Sequence, residues 1–384
     1  MREIYLDNAA TTRPWPEVID AVARAMGDGF GNASSLHRRG LAAARAVDEA
    51  RRSVLEAVGS GKWELAFTSG GCESDTTAVL GCVPRGRRDG IVISSVEHSA
   101  VEEACAAAAE AGARVTKISV GTGGVVDPAE IAAAVDDRTA LVALIHVANE
   151  LGTVQPVDEA ARAVKRIAAR CRVHVDAVQA LAQLPRLDYP REVDTLAISA
   201  HKIHGPQGVG ALLYRPGSAP RPLIRGGDQQ RGVRPGTLDA AGISGFGEAA
   251  RLLVERRERG ARWMRELTDL FLERVRAELD GVRTLGDPAR RASGIAVLAV
   301  KGARSEVLLH ALEAEGVLAS AGSACHASRS EPARCLREAG LEEGEGALRL
   351  SLSFDTTREE IEAACAVFAG AVRNVRSGRS GGGG

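Results

Sequence analysis

The chain has 384 residues, long for a single hydrophobic core and suited to two. Its 49 basic and 50 acidic residues nearly cancel, which leaves no electrostatic footprint for nucleic acid or an anionic membrane. Hydrophobic residues, 45% of the total, are spread through periodic segments with no run of membrane-spanning length, and no basic region followed by an apolar stretch opens the sequence. A cytoplasmic protein is expected, with neither direct nucleic-acid binding nor a membrane partner.

Apolar runs of strand length alternate with Ala-rich helical stretches. Residues 64–69 read as a strand, Gly70-Gly71 as a turn and 72–80 as the opening of a helix. Residues 90–94, 113–118 and 140–145 are further strands. Apolar runs at 173–179 and 195–198 each end in polar, chemistry-bearing residues. Residues 248–279 read as a long Arg/Glu-rich helix bridging to a second domain, with a strand at 293–300 beyond it. The Gly/Ser-rich, basic stretch 373–384 is expected to be disordered. The alternation predicts an α/β fold with a mainly parallel sheet, in which ligands collect at strand carboxyl ends, where Asp176, Ser199 and Lys202 fall.

Seven cysteines, an odd number without C-x-x-C spacing, read as reduced thiols rather than a disulfide framework or a zinc site. Cys82, Cys105, Cys171, Cys335 and Cys365 sit mostly among Ala, Val and Arg on predicted helices and are assigned to packing.

Lys202 lies in a tight polar turn, Ser199-Ala200-His201-Lys202-Ile203-His204-Gly205-Pro206, directly after an apolar run. A partly desolvated lysine at a strand end can lose its proton and trap a carbonyl as a Schiff base, the way pyridoxal phosphate (PLP) is anchored. Alone, it would read as a surface lysine. The strand-end Asp176 changes the balance, because PLP chemistry needs a carboxylate that keeps the pyridine nitrogen protonated. Gly70-Gly71 before a helix start would let backbone N–H groups face a phosphate. Gly59-Ser60-Gly61-Lys62 lacks the early glycine and following hydroxyl residue of an ATP-binding loop, and no G-x-G-x-x-G opens a helix, so nucleotide chemistry is disfavoured.

Ordered along almost the whole chain are Tyr5-Leu6-Asp7-Asn8-Ala9-Ala10-Thr11-Thr12, Gly31-Asn32-Ala33-Ser34-Ser35-Leu36-His37, Phe67-Thr68-Ser69-Gly70-Gly71-Cys72-Glu73-Ser74, Val96-Glu97-His98, Ala148-Asn149-Glu150-Leu151-Gly152 and Ala319-Ser320-Ala321-Gly322-Ser323-Ala324-Cys325. With the Asp176 and Lys202 segments, they make the chain resemble a cysteine desulfurase of the class V aminotransferase group, within the fold-type I PLP enzymes. The resemblance implies a large domain (15–253) with a mainly parallel seven-stranded sheet, a smaller α+β domain (1–14 and 254–376), and a tail at 377–384.

By the same resemblance, Lys202 holds PLP and moves the substrate α-proton, Asp176 faces the pyridine nitrogen, and His98 stacks on the ring. Asn149 and Gln179 match amides that hydrogen-bond its phenolic oxygen. Gly71, Cys72, Ser199 and His201 match the phosphate cradle, and Thr237 matches a threonine reaching the phosphate from the other subunit of a homodimer. Arg349 matches the guanidinium that grips the substrate carboxylate, with Asn32 also assigned to substrate. Cys325, in a small and polar stretch, matches the thiol that takes sulfur from L-cysteine, leaving L-alanine and a persulfide for a sulfur-acceptor protein. A thiol of ordinary pKa is only a few per cent ionised at neutral pH, and the adjacent His326 is a candidate for lowering it. Iron–sulfur assembly, tRNA thiolation, DNA phosphorothioation and thio-metabolite synthesis all begin with that persulfide.

Four positions in three segments depart from the family pattern. Cys72 stands where a phosphate-binding threonine is usual, Ala33 replaces a proline, and Gly226-Gly227-Asp228-Gln229-Gln230 replaces Gly-Gly-Gly-Gln-Glu. Two other readings remain open at the level of sequence: a different class V PLP enzyme (selenocysteine lyase, aminotransferase or lyase), and a non-catalytic scaffold.

Overall fold

Strands covered on both faces need continuous apolar runs, and this chain supplies them. The computed structural model describes residues 3–59, 61–82, 87–321 and 333–378. It opens with β1 (Ile4–Tyr5), α1 (Pro16–Met26) and α2 (Arg38–Val58). There follow β2 (Glu64–Thr68), α3 (Gly71–Cys82), β3 (Gly90–Ser94), α4 (Ser99–Glu110), β4 (Arg114–Ile118), α5 (Pro128–Ala133), β5 (Thr139–Ile145) and α6 (Val157–Ile167). Next come β6 (Arg172–Asp176), α7 (Ala180–Gln183), β7 (Thr195–Ser199), β8 (Gly210–Tyr214) and the long α8 (Ala240–Glu278). The remainder is β9 (Val282–Thr284), β10 (Ile295–Lys301), α9 (Ser305–Ala314), β11 (Val317–Leu318), α10 (Arg334–Glu338), β12 (Glu345–Ser351) and α11 (Arg358–Arg376).

The main sheet has seven strands in the order β2-β8-β7-β6-β5-β3-β4. Only β8 runs against its neighbours; β7, β6, β5, β3 and β4 pair in parallel. Every residue of β3, β5, β7 and β8 is buried, whereas the edge strand β4 exposes Arg114 and Val115 and carries Lys117. Parallel pairing brings the carboxyl ends of β5, β6 and β7 to one edge of the sheet, where α4 and the turns after those strands also begin.

A second, antiparallel sheet has the order β12-β10-β9, and β1 pairs in parallel with β11. Backbone bridging of Asp7 with Ser351 continues the attachment of the N-terminal segment to this part of the chain. α8 joins the two cores: Phe246, Leu252 and Leu253 pack into the larger, Met264, Leu267 and Phe271 into the other. It begins earlier than the sequence pattern predicts, at Ala240, because the Asp239 side chain caps the Gly242 N–H. At 1.5 Å per residue its 39 residues span about 58 Å.

One expectation is corrected at the C-terminus. Residues 373–376 are the last turn of α11, held by Arg373 on Glu278 at 2.7 Å and by Arg376 on the carbonyls of Lys301 and Asp280 at 2.9 and 2.8 Å. Basic side chains near a helix C-terminus suit its dipole, which the Gly/Ser composition further on obscured. Residues 379–384 lie outside the described chain.

Gly210 in β8 shows how tightly sheet and site are joined. A Cβ there would come within 2.7 Å of the Gly70 Cα and of the Ile198 carbonyl oxygen, both backbone atoms that cannot swing aside. Gly210→Ala is expected to cost about 1–3 kcal/mol in denaturant unfolding, as overpacking does; an unchanged midpoint would contradict this packing.

Candidate active site

Asp176 ends β6 and Ser199 ends β7, with the register Asp176 opposite Ala197. A 3₁₀ turn, Ala200–Lys202, follows directly and places His201 and Lys202 over the same edge. The N-terminus of α3, with Gly71 and Cys72, arrives from the β2 side, and His98 from the start of α4. These residues line one cleft of about 520 Å³ together with Asn149, Gln179 and, from β12, Arg349. Ten residues singled out in the sequence thus converge on a single cavity.

Two do not. Asn32 and Thr237 are exposed and lie outside the cleft lining, Asn32 accepting the Ser34 N–H at 2.9 Å. Cys325 and His326 fall outside the described residues.

The N-terminal segment, expected only as part of the smaller domain, also lines the cleft through Ala9 and Ala10. Lys202 Nζ donates to the carbonyls of Ala9 and Ala10, both at 2.6 Å, and Gln179 Nε2 donates to the Ala9 carbonyl at 2.8 Å. Thr12 donates through its N–H and hydroxyl to the His201 carbonyl, both at 2.9 Å. Arg349, 2% exposed, donates to the Asn149 carbonyl and to Asp7 Oδ1, each at 2.8 Å. Its anchoring leaves Arg349 Nε without an acceptor among the described residues.

Electrostatics separate the titratable groups. Burial pushes the Asp176 carboxyl up, opposed by nearby His98, by the Val178 N–H at 2.9 Å and by Lys202. A buried carboxyl of this kind gains most from a cation set beside it. His201 is lowered to about 4 by burial and by the Lys202 charge, so it is neutral at pH 7. His98 Nδ1 accepts the Ala100 N–H at 3.1 Å, which puts the proton of the neutral ring on Nε2. A buried carboxyl, an amine, a helix start, Ser199 and a neutral His201 share this cleft, and the chemistry of that donor set fits PLP, which needs an anion for its pyridine nitrogen, an amine for its aldehyde and donors for its phosphate.

Four acids without an assigned role also line the cleft: Asp75, Glu97, Glu102 and Glu150. Asp75, held up by burial and then by Asp176, meets His174 Nε2 at 3.0 Å, and His174 Nδ1 meets Thr195 Oγ1 at 2.9 Å. Glu97 receives the Ser94 hydroxyl, is pushed up to about 8 by burial, and leaves Oε2 unpartnered among the described residues. Cys335, expected only to pack, lines the cleft with its thiol on Glu150 and is raised by burial and by that carboxylate. The one available signal was adjacency: Glu97 precedes His98, and Asp75 lies one helical turn after Cys72.

The chain matches the family described as Aminotransferase class-V over residues 4–364 and belongs to it; that family is PLP-dependent. A cysteine desulfurase of Cereibacter sphaeroides is 41% identical over 383 residues, 98% of this chain and 97% of its own. The solved structure of a NifS-like protein is similar with a TM-score of 0.87 and 31% identity, over 96% of this chain and 98% of that one. SspA in complex with cysteine is similar with a TM-score of 0.77 and 27% identity, over 92% and 99% of the two chains.

The raised Glu97 has a pH consequence. Between its ordinary pKa of 4.5 and about 8 the folded state holds a proton that the unfolded state has lost, so this group's contribution to stability falls as pH rises through that window. Glu97→Gln removes the contribution. In cofactor-free protein the variant should gain stability relative to the parent from pH 5 to pH 8, with a limiting slope of about 1.4 kcal/mol per pH unit. A pH-independent difference in urea unfolding would refute it.

Proposed function

We propose that this chain is a PLP-dependent cysteine desulfurase, converting L-cysteine to L-alanine and leaving a persulfide on Cys325 for a sulfur-acceptor protein. The observation that carries the reading is the convergence of Lys202, Asp176, His98 and Arg349 on one cleft, in a chain so similar to named cysteine desulfurases. When bound, PLP supplies the electron sink that makes the substrate α-proton and C–S bond labile.

Lys202 anchors the cofactor and, once released, moves the α-proton. Its contacts with the Ala9 and Ala10 carbonyls mark where Nζ rests on the cleft wall. Buried Asp176 keeps the pyridine nitrogen protonated. His98 presents its Nε2 proton, fixed by its helix-capping bond. Ser199, neutral His201 and the α3 N-terminus receive the phosphate. Arg349, pre-positioned by Asp7 and the Asn149 carbonyl, takes the substrate carboxylate, and its planar fork suits two oxygens. The Cys325 thiolate then attacks the substrate sulfur: an S–S bond forms, the C–S bond breaks, and the carbon that lost sulfur is reprotonated to alanine.

A homodimer is part of the reading. Met26, Phe30 and Leu36 are 71, 58 and 91% exposed, and Leu223 and Ile224 are also open, apolar side chains that a partner subunit would cover. Thr237, exposed and outside the cleft of its own chain, is available to a partner's phosphate site. The division into residues 15–253 and residues 1–14 with 254–376 is supported by a hydrophobic cluster drawn only from Ile4, Leu6 and residues between Met264 and Val372. Cys82, Cys105, Cys171, Cys335 and Cys365 carry no disulfide, as a reducing, cytoplasmic location would have it, and no described helix is long and apolar enough to cross a membrane.

Cys325→Ala should keep the visible absorbance of bound PLP and lose sulfide or persulfide release from L-cysteine by more than about 100-fold. Undiminished alanine production would overturn the assignment. Arg349→Lys should raise KM for L-cysteine roughly 10–100-fold; an unchanged KM would remove Arg349 from substrate binding. Sedimentation should give twice the 40.1 kDa of one chain, and a monomer would refute the dimer.

A further inference from the structure

Away from the cleft, a second cavity of about 260 Å³ lies between α8 and the segment joining β9 to β10. Arg265, Asp269, Leu272 and Arg276 line it from one stripe of α8, spaced to share a face. Opposite them stand Thr284, Asp287 and Arg291. Three guanidinium groups therefore face two carboxylates, an excess of positive charge in a partly enclosed space.

The protein uses few of the available donors. Arg265 donates to the Arg291 carbonyl, Arg276 to Thr284 Oγ1 at 2.7 Å, and Arg291 to Asp269. Arg291 has a side chain only 12% exposed, and its Nε has no acceptor among the described residues. Asp287 is already engaged, its Oδ1 accepting the Ala289 N–H at 2.9 Å. Burial disfavours the charge on Arg265, and Arg291 beside it disfavours that charge further. An arrangement that crowds cations into a cavity, with one carboxylate between them and N–H groups to spare, is satisfied by an anion with several acceptor oxygens.

We propose that this groove is a binding site for a small oxyanion of the phosphate class, held by Arg265 and Arg276 from α8 and by the field of Arg291. The site is separate from the cleft and stands whether or not the functional reading does. It touches the back of the Asn149–Gly152 turn through Leu151 and Thr153, whose neighbours Asn149 and Glu150 face the cleft. The cavity exceeds one phosphate group, leaving room for an organic substituent on it.

The test uses PLP-loaded protein, so that the cofactor's own phosphate cradle is filled. Inorganic phosphate and glycerol 3-phosphate are titrated calorimetrically against chloride at matched ionic strength, with the thermal midpoint followed in parallel. Binding of either probe, weakened at least tenfold in Arg276→Gln and in Arg265→Gln while PLP absorbance is retained, supports the site, and the tighter probe identifies free or esterified phosphate. Arg276 is exposed and its variant should fold normally. No binding beyond chloride, or equal binding by parent and Arg276→Gln, overturns the proposal.

Discussion

The parallel pairing of β6 with β7 is the constraint from which the site follows. Their register sets Asp176 opposite Ala197, so β7 continues past the end of β6 before turning, and the 3₁₀ turn delivers Lys202 over the same sheet edge. A carboxyl at that depth is disfavoured as an anion by burial, and the residues around it are the ones that offset this: Lys202, His98 and the Val178 N–H. The antiparallel β8 matters for the same reason. By inserting between β7 and β2 it brings the Gly70 turn within backbone contact of Gly210, which fixes the start of α3 relative to Ser199.

The N-terminal segment turns this edge into a cleft. Its Ala9 and Ala10 carbonyls, Thr12 hydroxyl and Asp7 carboxylate bind Lys202, Gln179, His201 and Arg349, residues drawn from three separate stretches of chain. Arg349 is the point where the two sheets meet at the cleft: it sits on β12, yet its hydrogen bonds go to the turn after β5 and to Asp7. Two such bonds to a nearly fully buried guanidinium do little for net stability compared with an apolar substitute, but losing either acceptor would leave a buried charge uncompensated. The segment therefore specifies where Arg349 points more than it adds to folding energy.

The strands and their chemistry-bearing ends were legible because both signals are local. Residues 90–94, 140–145 and 195–198 are short apolar runs, and Asp176 and Lys202 break such runs with charges that have no packing purpose. What stayed hidden depends on distant contacts. Nothing near Cys335 in the sequence distinguishes a packing thiol from one lining the cleft, since Glu150 reaches it from across the fold. The start of α8 was misplaced because Gly242, Gly245 and Gly247 depress helix propensity, whereas these glycines sit where Cβ atoms would strike Asp239, Val22 and Ala50. Tertiary packing overrode propensity there.

Asp75, Glu97 and Asp176 lie buried along one cleft, and their surroundings treat the three carboxyls unequally. Asp75 faces His174, and burial pushes the two in opposite directions, the carboxyl up and the imidazole down to about 3. Both directions favour the neutral pair, in which Asp75 donates its proton to Nε2 and His174 passes a hydrogen bond on to Thr195. Glu97 has a hydroxyl donor but no cation, so it too is favoured as the neutral acid near pH 7. Asp176 has His98 and Lys202 within electrostatic reach, and of the three it is the carboxyl whose anion its neighbours favour. Environments that drive neighbouring carboxyls apart in this way separate these three: Asp75 and Glu97 are favoured as neutral acids, and Asp176 is the one with cationic neighbours.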